Sequence, residues 1–183
     1  MRKKAVVFLA EGFEEIESVS VVDILRRAGI EVVSAGLSAN PIKGSMGILI
    51  MADKSLDDVS PDEFDMVVLP GGLPGTANLE KDPRVIKFLE EMENQGKYIA
   101  AICAAPRALK KAGLLKNRNI TSHPSLSDQF PESRYLEDRV VVDGRIITSR
   151  SPGTALEFAF QLMDVLLGEK AVGEVNQGVL AKL

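Results

Sequence analysis

Cys103 is the only cysteine in this chain of 183 residues, and His123 is its only histidine. The run Lys97 to Cys103 (KYIAAIC) reads as a short apolar strand. Ala104 to Gly113 (AAPRALKKAG) reads as a helix, with Pro106 in its first turn and Gly113 at its end. A thiol at such a junction meets unpaired backbone N–H groups and the positive end of a helix dipole, and both favour thiolate over thiol. Cys103 is therefore the candidate nucleophile. Glu17 is its candidate partner. On a helical projection of Phe13–Ala28 it falls between Phe13, Ile24 and Ala28, near the middle of the apolar face, whereas Glu15 falls off that face. A carboxylate aimed at a core is costly, so it is expected to stay protonated and to donate a hydrogen bond to a nearby thiolate. The plainer alternative is a helix-start side chain that bends out to solvent or caps backbone donors.

His123 lies in Thr121-Ser122-His123-Pro124, after a short apolar strand around Ile120. A loop there could bring it to Cys103 as a general base or proton shuttle; on spacing alone, a surface histidine is the plainer reading. The turn Pro70-Gly71-Gly72 lets backbone N–H groups approach a ligand closely, so Gly71, Gly72 and the Ala104 N–H are candidate donors to an oxyanion. Asp23 falls on the side of the first helix beside Ile16 and Arg27, toward solvent.

The elements that position these residues alternate. Apolar strands are expected at Ala5–Ala10, Ile30–Ala35, Asp65–Pro70 and Tyr98–Cys103, with helices at Glu14–Ala28, within Asp82–Gln95 and at Gly153–Leu167. A small hairpin is expected between Ile42 and Ala52, turning at Lys43-Gly44 or Met46-Gly47. A second hairpin turns at Asp143-Gly144, and the tail from Glu169 is a further candidate helix. Continuous apolar strands separated by helices imply an α/β fold with a mostly parallel sheet covered on both faces, in one domain spanning 1–183. Ligands of such sheets bind beyond the carboxyl ends of the strands, where Cys103, Gly71-Gly72 and the Glu11–Glu17 segment all fall.

Composition narrows the function. Net charge is −4 without a basic block, which argues against nucleic acid as a partner. One cysteine excludes an internal disulfide framework and a Cys-rich zinc site, and no GxGxxG or P-loop pattern is present, so neither metal nor nucleotide cofactor is expected. The apolar stretch after Met1-Arg2-Lys3-Lys4 is short and runs directly into Glu11, Glu14 and Glu15. It reads as a first strand rather than a signal or membrane segment, giving a cytoplasmic expectation.

Five segments, Ala10–Glu17 (AEGFEEIE), Leu69–Gly72 (LPGG), Ala100–Pro106 (AAICAAP), Thr121–Pro124 (TSHP) and Thr148–Thr154 (TSRSPGT), occur in that order. Together they resemble the ThiJ/PfpI superfamily, in the branch of bacterial YajL and the human parkinsonism-associated deglycase. The likeness runs from the first strand to the tail. It implies a flavodoxin-like sandwich forming a homodimer, with Cys103 as nucleophile, Glu17 as its protonated partner and His123 nearby. It also implies Gly71 and Gly72 as backbone donors, Asp23 as the acid behind the histidine, and Arg150 beside the pocket. The chain departs from the family pattern at Ala105 and Ser151, which replace glycines, and at Met46, where some relatives carry an arginine; Arg26, Arg27 and Arg150 remain as candidate cations.

The activity implied is a cofactor-independent glyoxalase or protein deglycase acting on methylglyoxal, glyoxal or glycated proteins. The alternatives are a redox sensor or redox-regulated chaperone built on a readily oxidised cysteine, and a PfpI-type cysteine peptidase.

Overall fold

The computed structural model describes residues 2–38 and 40–183; Met1 and Ala39, which belong to the expected domain, lie outside the described residues. The chain runs β1 (Lys4–Leu9), α1 (Glu15–Arg27), β2 (Glu31–Gly36), β3 (Ile42–Lys43), β4 (Leu49–Ile50), β5 (Lys54–Ser55), β6 (Met66–Leu69), α2 (Gly75–Lys81) and α3 (Pro83–Asn94). It continues through β7 (Tyr98–Ile102), α4 (Pro106–Lys111), β8 (Asn119–Ile120), β9 (Arg134–Tyr135), β10 (Val140–Asp143), β11 (Ile146–Ser149), α5 (Ala155–Leu167) and α6 (Glu169–Val179). The main sheet has the order β10-β11-β7-β6-β1-β2-β5, and every pairing is parallel except that of β10 with β11. The fold is thus α/β with a mostly parallel sheet flanked by helices, and β3 and β4 form the small antiparallel hairpin, turning through Met46-Gly47.

The unbroken apolar runs exist because both faces of the sheet are covered. In β1, Ala5, Val7 and Leu9 enter one apolar cluster with α1 and α5, while Val6 and Phe8 enter the other with α2, α3 and α4. That is the two-residue alternation of an extended chain. Each fully buried Val, Leu or Phe contributes about 1.5–3 kcal/mol through the surface it removes from water, so a strand such as Val67-Val68-Leu69 leaves little freedom of register.

α1 begins because the Glu14 side chain accepts the Glu17 N–H at 2.7 Å, and it ends before Gly29, whose φ of +76° reverses the chain. Arg26 and Arg27 lie in its last turn, the favourable end of the dipole. Four elements differ from the sequence expectation. α2 starts on Gly75-Thr76 behind Pro74, a combination that reads as a turn. β5 and β9 are two-residue strands, too short to show periodicity. α4 starts at Pro106, so Ala104 and Ala105 form the turn that links it to Cys103. No helix among the described residues is long and apolar enough to cross a membrane.

Candidate active site

β11, β7, β6 and β1 are neighbours in the sheet, and their carboxyl ends bring Arg150, Cys103, Gly71-Gly72 and the segment before α1 to one edge. Cys103 has φ +63°, a left-handed conformation that costs a non-glycine residue about 1–3 kcal/mol. Two hydrogen bonds fix it: its N–H donates to the Ser149 carbonyl at 3.0 Å, and its carbonyl accepts the His123 N–H at 2.9 Å. The side chain is half-buried, sheltered yet reachable by a small molecule.

Glu17 is completely buried. Its Oε2 accepts the Gly71 N–H at 2.7 Å, whereas Oε1 accepts no hydrogen bond among the described residues. Burial pushes the carboxyl up to about 7; the Gly71 N–H and the Cys103 contact pull it down, and the Glu14 charge pushes it further up. The expectation of a raised carboxyl agrees with this environment. The expectation for the thiol does not. Burial first, then the charge of Glu17 and its hydrogen bond, push Cys103 up to about 12 against the pull of the Ala104 and Gly72 N–H groups. α4 has only six residues and starts beyond Ala105, so its dipole does not offset the burial.

The two groups therefore titrate as a pair that holds two protons below about 7 and one above it. When that proton sits on Oε1, the charge of Glu17 no longer opposes the thiolate. The Ala104 and Gly72 N–H groups are the donors at the sulfur, and a protonated Glu17 would add its O–H to them. A thiolate here is favoured by the Ala104 and Gly72 N–H groups and opposed by burial and by a charged Glu17.

Gly71 requires a correction as an oxyanion donor: its N–H is committed to Glu17, so it positions the acid. Gly72 and Ala104 remain as the donor pair at the sulfur. Gly72 has φ +92°, and a Cβ there would lie 2.5 Å from the Gly12 carbonyl oxygen and 2.6 Å from the Glu14 nitrogen. The loops after β1 and β6 thus touch through bare backbone. The site loop of His123 does reach Cys103 through its main chain. Its Nδ1 lies 2.8 Å from Ser125 Oγ and faces the Ser125 N–H at 3.3 Å, which favours the tautomer with the proton on Nε2.

Asp23 is the second correction. It pairs with Arg27 at 2.7 Å on a half-exposed helix face, and the histidine nitrogen meets Ser125 instead, so within this chain Asp23 is not the acid behind His123. Arg26 is likewise engaged, with Asp53 at 2.7 Å. Arg150 donates to the Glu137 carbonyl at 2.6 Å and borders the edge from the β11 side. Ala105 is right-handed helical and Ser151 extended, so neither substituted glycine was needed for its conformation. Met46 is 79% exposed at the hairpin turn.

Sequence reasoning missed Glu15. It lies off the apolar face, as expected, yet it is buried, because its carboxylate accepts from Met46 N–H at 2.7 Å, Ser45 Oγ at 3.1 Å and Ile48 N–H at 3.3 Å. Burial opposes its charge, but these donors and its own N–H hold it below the ordinary carboxylate range. It ties the β3–β4 hairpin to α1. Among the described residues no group of three His, Cys, Asp or Glu side chains is placed to hold a metal ion.

Known proteins share this arrangement of elements. Protein dj-1beta of Drosophila melanogaster is 45% identical over 183 residues, covering 98% of each chain. Its crystal structure matches with a TM-score of 0.97 over 100% of both chains. A Caenorhabditis elegans protein named glutathione-independent glyoxalase DJR-1.2 is 39% identical over 185 residues, covering 99% of this chain and 98% of its own. A structure described as Toxoplasma gondii DJ-1, oxidized, is 37% identical with a TM-score of 0.95, over 99% of this chain and 100% of that one. The family model described as the DJ-1/PfpI family matches residues 3–165, a span that takes in every residue of the edge built around Cys103, and the chain belongs to that family.

Proposed function

We propose that the protein is a cysteine-dependent glyoxalase that needs no cofactor. The observation that carries this reading is the buried Glu17 carboxyl, raised to about 7 beside Cys103, with the Gly72 and Ala104 N–H groups at the sulfur. The glyoxalase name of the Caenorhabditis elegans relative supports it. With its proton on Glu17, the Cys103 thiolate adds to the aldehyde carbon of an α-oxoaldehyde and forms a C–S bond. The carbonyl electrons move to oxygen, where the Gly72 and Ala104 N–H groups stabilise the charge and Glu17 returns its proton. His123 Nδ1, released from the Ser125 N–H, then takes the proton from the former aldehyde carbon, and its return to the neighbouring carbon gives a thioester. Water cleaves the C–S bond and releases a 2-hydroxy acid, so methylglyoxal plus water becomes lactate with no net change in oxidation state. In the deglycase version the thiolate displaces the lysine, arginine or cysteine side chain from the adduct carbon of a glycated protein, that side chain leaves as the free amine, guanidine or thiol, and the same isomerisation and hydrolysis follow.

The test is steady-state turnover of methylglyoxal by the native chain and by Cys103→Ser, with the product identified as D- or L-lactate. Turnover should be lost in the variant; wild-type lactate production by Cys103→Ser would end this reading.

A second reading, a redox sensor or redox-regulated chaperone, is favoured by the unpartnered Glu17 Oε1, which could donate a hydrogen bond to an oxidised sulfur. Peroxide titration followed by intact mass separates the two: methionine oxidation with Cys103 unmodified would sink the sensor. The expected homodimer is supported by Ile16 and Val19 on α1 and by Met46, Ile48, Leu49 and Met51 on the hairpin, all at least half exposed on elements that Glu15 ties together. A single free thiol suits a reducing compartment, and the cytoplasm is the proposed location.

A further inference from the structure

His123 is carried by a segment that belongs to no strand of the main sheet. β8 pairs only with β9, and its carbonyls face that partner: those of Arg118 and Ile120 accept the N–H groups of Arg134 and Leu136, each at 2.8 Å. Its hold on the catalytic edge comes from the opposite side, through three N–H groups at alternate positions. Asn119 N–H donates to Asp143 Oδ2 at 2.7 Å, Thr121 N–H to Thr148 Oγ1 at 2.9 Å, and His123 N–H to the Cys103 carbonyl at 2.9 Å. Alternate groups of an extended chain point the same way, so the three act as one seam. Two of the acceptors are side chains, because the main chain of β11 already lies between β7 and β10.

Thr148 occupies the middle of that seam. Thr148 and Thr121 are both completely buried, so the Thr121 N–H has no water to turn to if the Thr148 oxygen is removed. The next residue of β11, Ser149, supplies the carbonyl that holds the Cys103 N–H at 3.0 Å. Neighbouring residues of one strand thus fix the two reacting groups, Thr148 through its side chain and Ser149 through its main chain. We propose that Thr148 is a positioning residue, whose hydroxyl oxygen sets the strand that delivers His123 to Cys103. The inference rests on the role proposed for His123 in turnover.

Thr148→Val removes the acceptor and keeps the branched shape; Thr148→Ser keeps the acceptor and removes the methyl. With methylglyoxal, kcat should fall about ten- to a hundredfold in Thr148→Val with KM within about twofold, and stay near wild type in Thr148→Ser. Because His123 is the only histidine, the imidazole C–H proton signal reports its setting without reference to activity. That signal should shift or broaden in Thr148→Val and remain in place in Thr148→Ser. Iodoacetamide should alkylate Cys103 at the native rate in both, since the Ser149 carbonyl is untouched. If Thr148→Val does not fold, Asp143→Ala, which releases the neighbouring anchor at Asn119, should move the same signal. A folded Thr148→Val with native kcat and an unmoved imidazole signal would overturn the proposal, as would equal losses in the valine and serine variants. Absence of turnover in the native chain would defeat the glyoxalase reading alone, because the imidazole signal still decides whether Thr148 positions His123.

Discussion

Glu17→Gln separates the proton shared with Cys103 from the shape of the site, because the amide oxygen can still accept the Gly71 N–H. In the native chain the carboxyl is raised from 4.5 to about 7, so the one-proton form of the pair, the form that yields thiolate, grows in as pH rises through about 7. Without the carboxyl the sulfur must lose its proton unaided. At the ordinary thiol value of 9.0 about 1% would be thiolate at pH 7, and burial works against even that. Iodoacetamide alkylation of Cys103 at pH 7 should therefore slow at least about tenfold, because glutamine neither takes up the thiol proton nor offers the carboxyl O–H to the sulfur. The same shift sets a stability difference. A carboxyl raised in the folded state contributes stability below its unfolded value of 4.5 and loses it as pH rises through about 7. The rise is worth about 3 kcal/mol, a penalty at pH 8 that the glutamine variant escapes. Urea denaturation should thus find Glu17→Gln more stable than the native chain at pH 8 and nearly equal to it at pH 4. Native-rate alkylation at pH 7, or a stability difference independent of pH, would refute the shared proton.

Gly72→Ala should destabilise the fold by about 2 kcal/mol or more in urea denaturation, since its Cβ meets backbone of the β1 loop and the residue has φ +92°. Glu15→Gln should weaken the hairpin tie by about 1–2 kcal/mol at pH 7, seen as faster tryptic cleavage after Lys43. Because the Glu15 carboxyl is held low, its contribution is present above its unfolded value of 4.5, and the difference between variant and native chain should fade as pH falls through its folded value. Ile16→Glu with Leu49→Glu should convert a dimer to monomer in light scattering at native secondary structure; an unchanged mass would remove this face from the interface.

Much of the architecture was legible because it rests on local patterns. Val67-Val68-Leu69 and Ile99-Ala100-Ala101-Ile102 can only be strands covered on both faces, and Asp143-Gly144 and Met46-Gly47 supply the turns. Glu17 was legible as an anomaly, a carboxylate on an apolar stripe. What the pattern does not contain is which donor meets which acceptor across the sheet edge. Gly71 and Gly72 are indistinguishable in sequence, yet one N–H holds Glu17 and the other faces the sulfur. Glu15 lies away from the core-facing stripe and is buried all the same, because a hairpin some thirty residues later closes over it. The thiol's setting has a related cause: the helix after Cys103 starts late and is short, while the depth of its burial is set by strands far away in sequence.

The bare-backbone contact between the loops after β1 and β6 divides the site by how readily it can change. Gly75 N–H donates to the Gly12 carbonyl at 3.2 Å and Glu14 N–H to the Gly71 carbonyl at 2.9 Å, so the floor beneath the sulfur is built from main chain that admits no larger residue. Around it stand side chains such as Arg150, which reaches out to the Glu137 carbonyl at the end of β11. A descendant of this chain can alter what enters the site by single steps at the rim, whereas a new reaction would require both loops to be rebuilt at once.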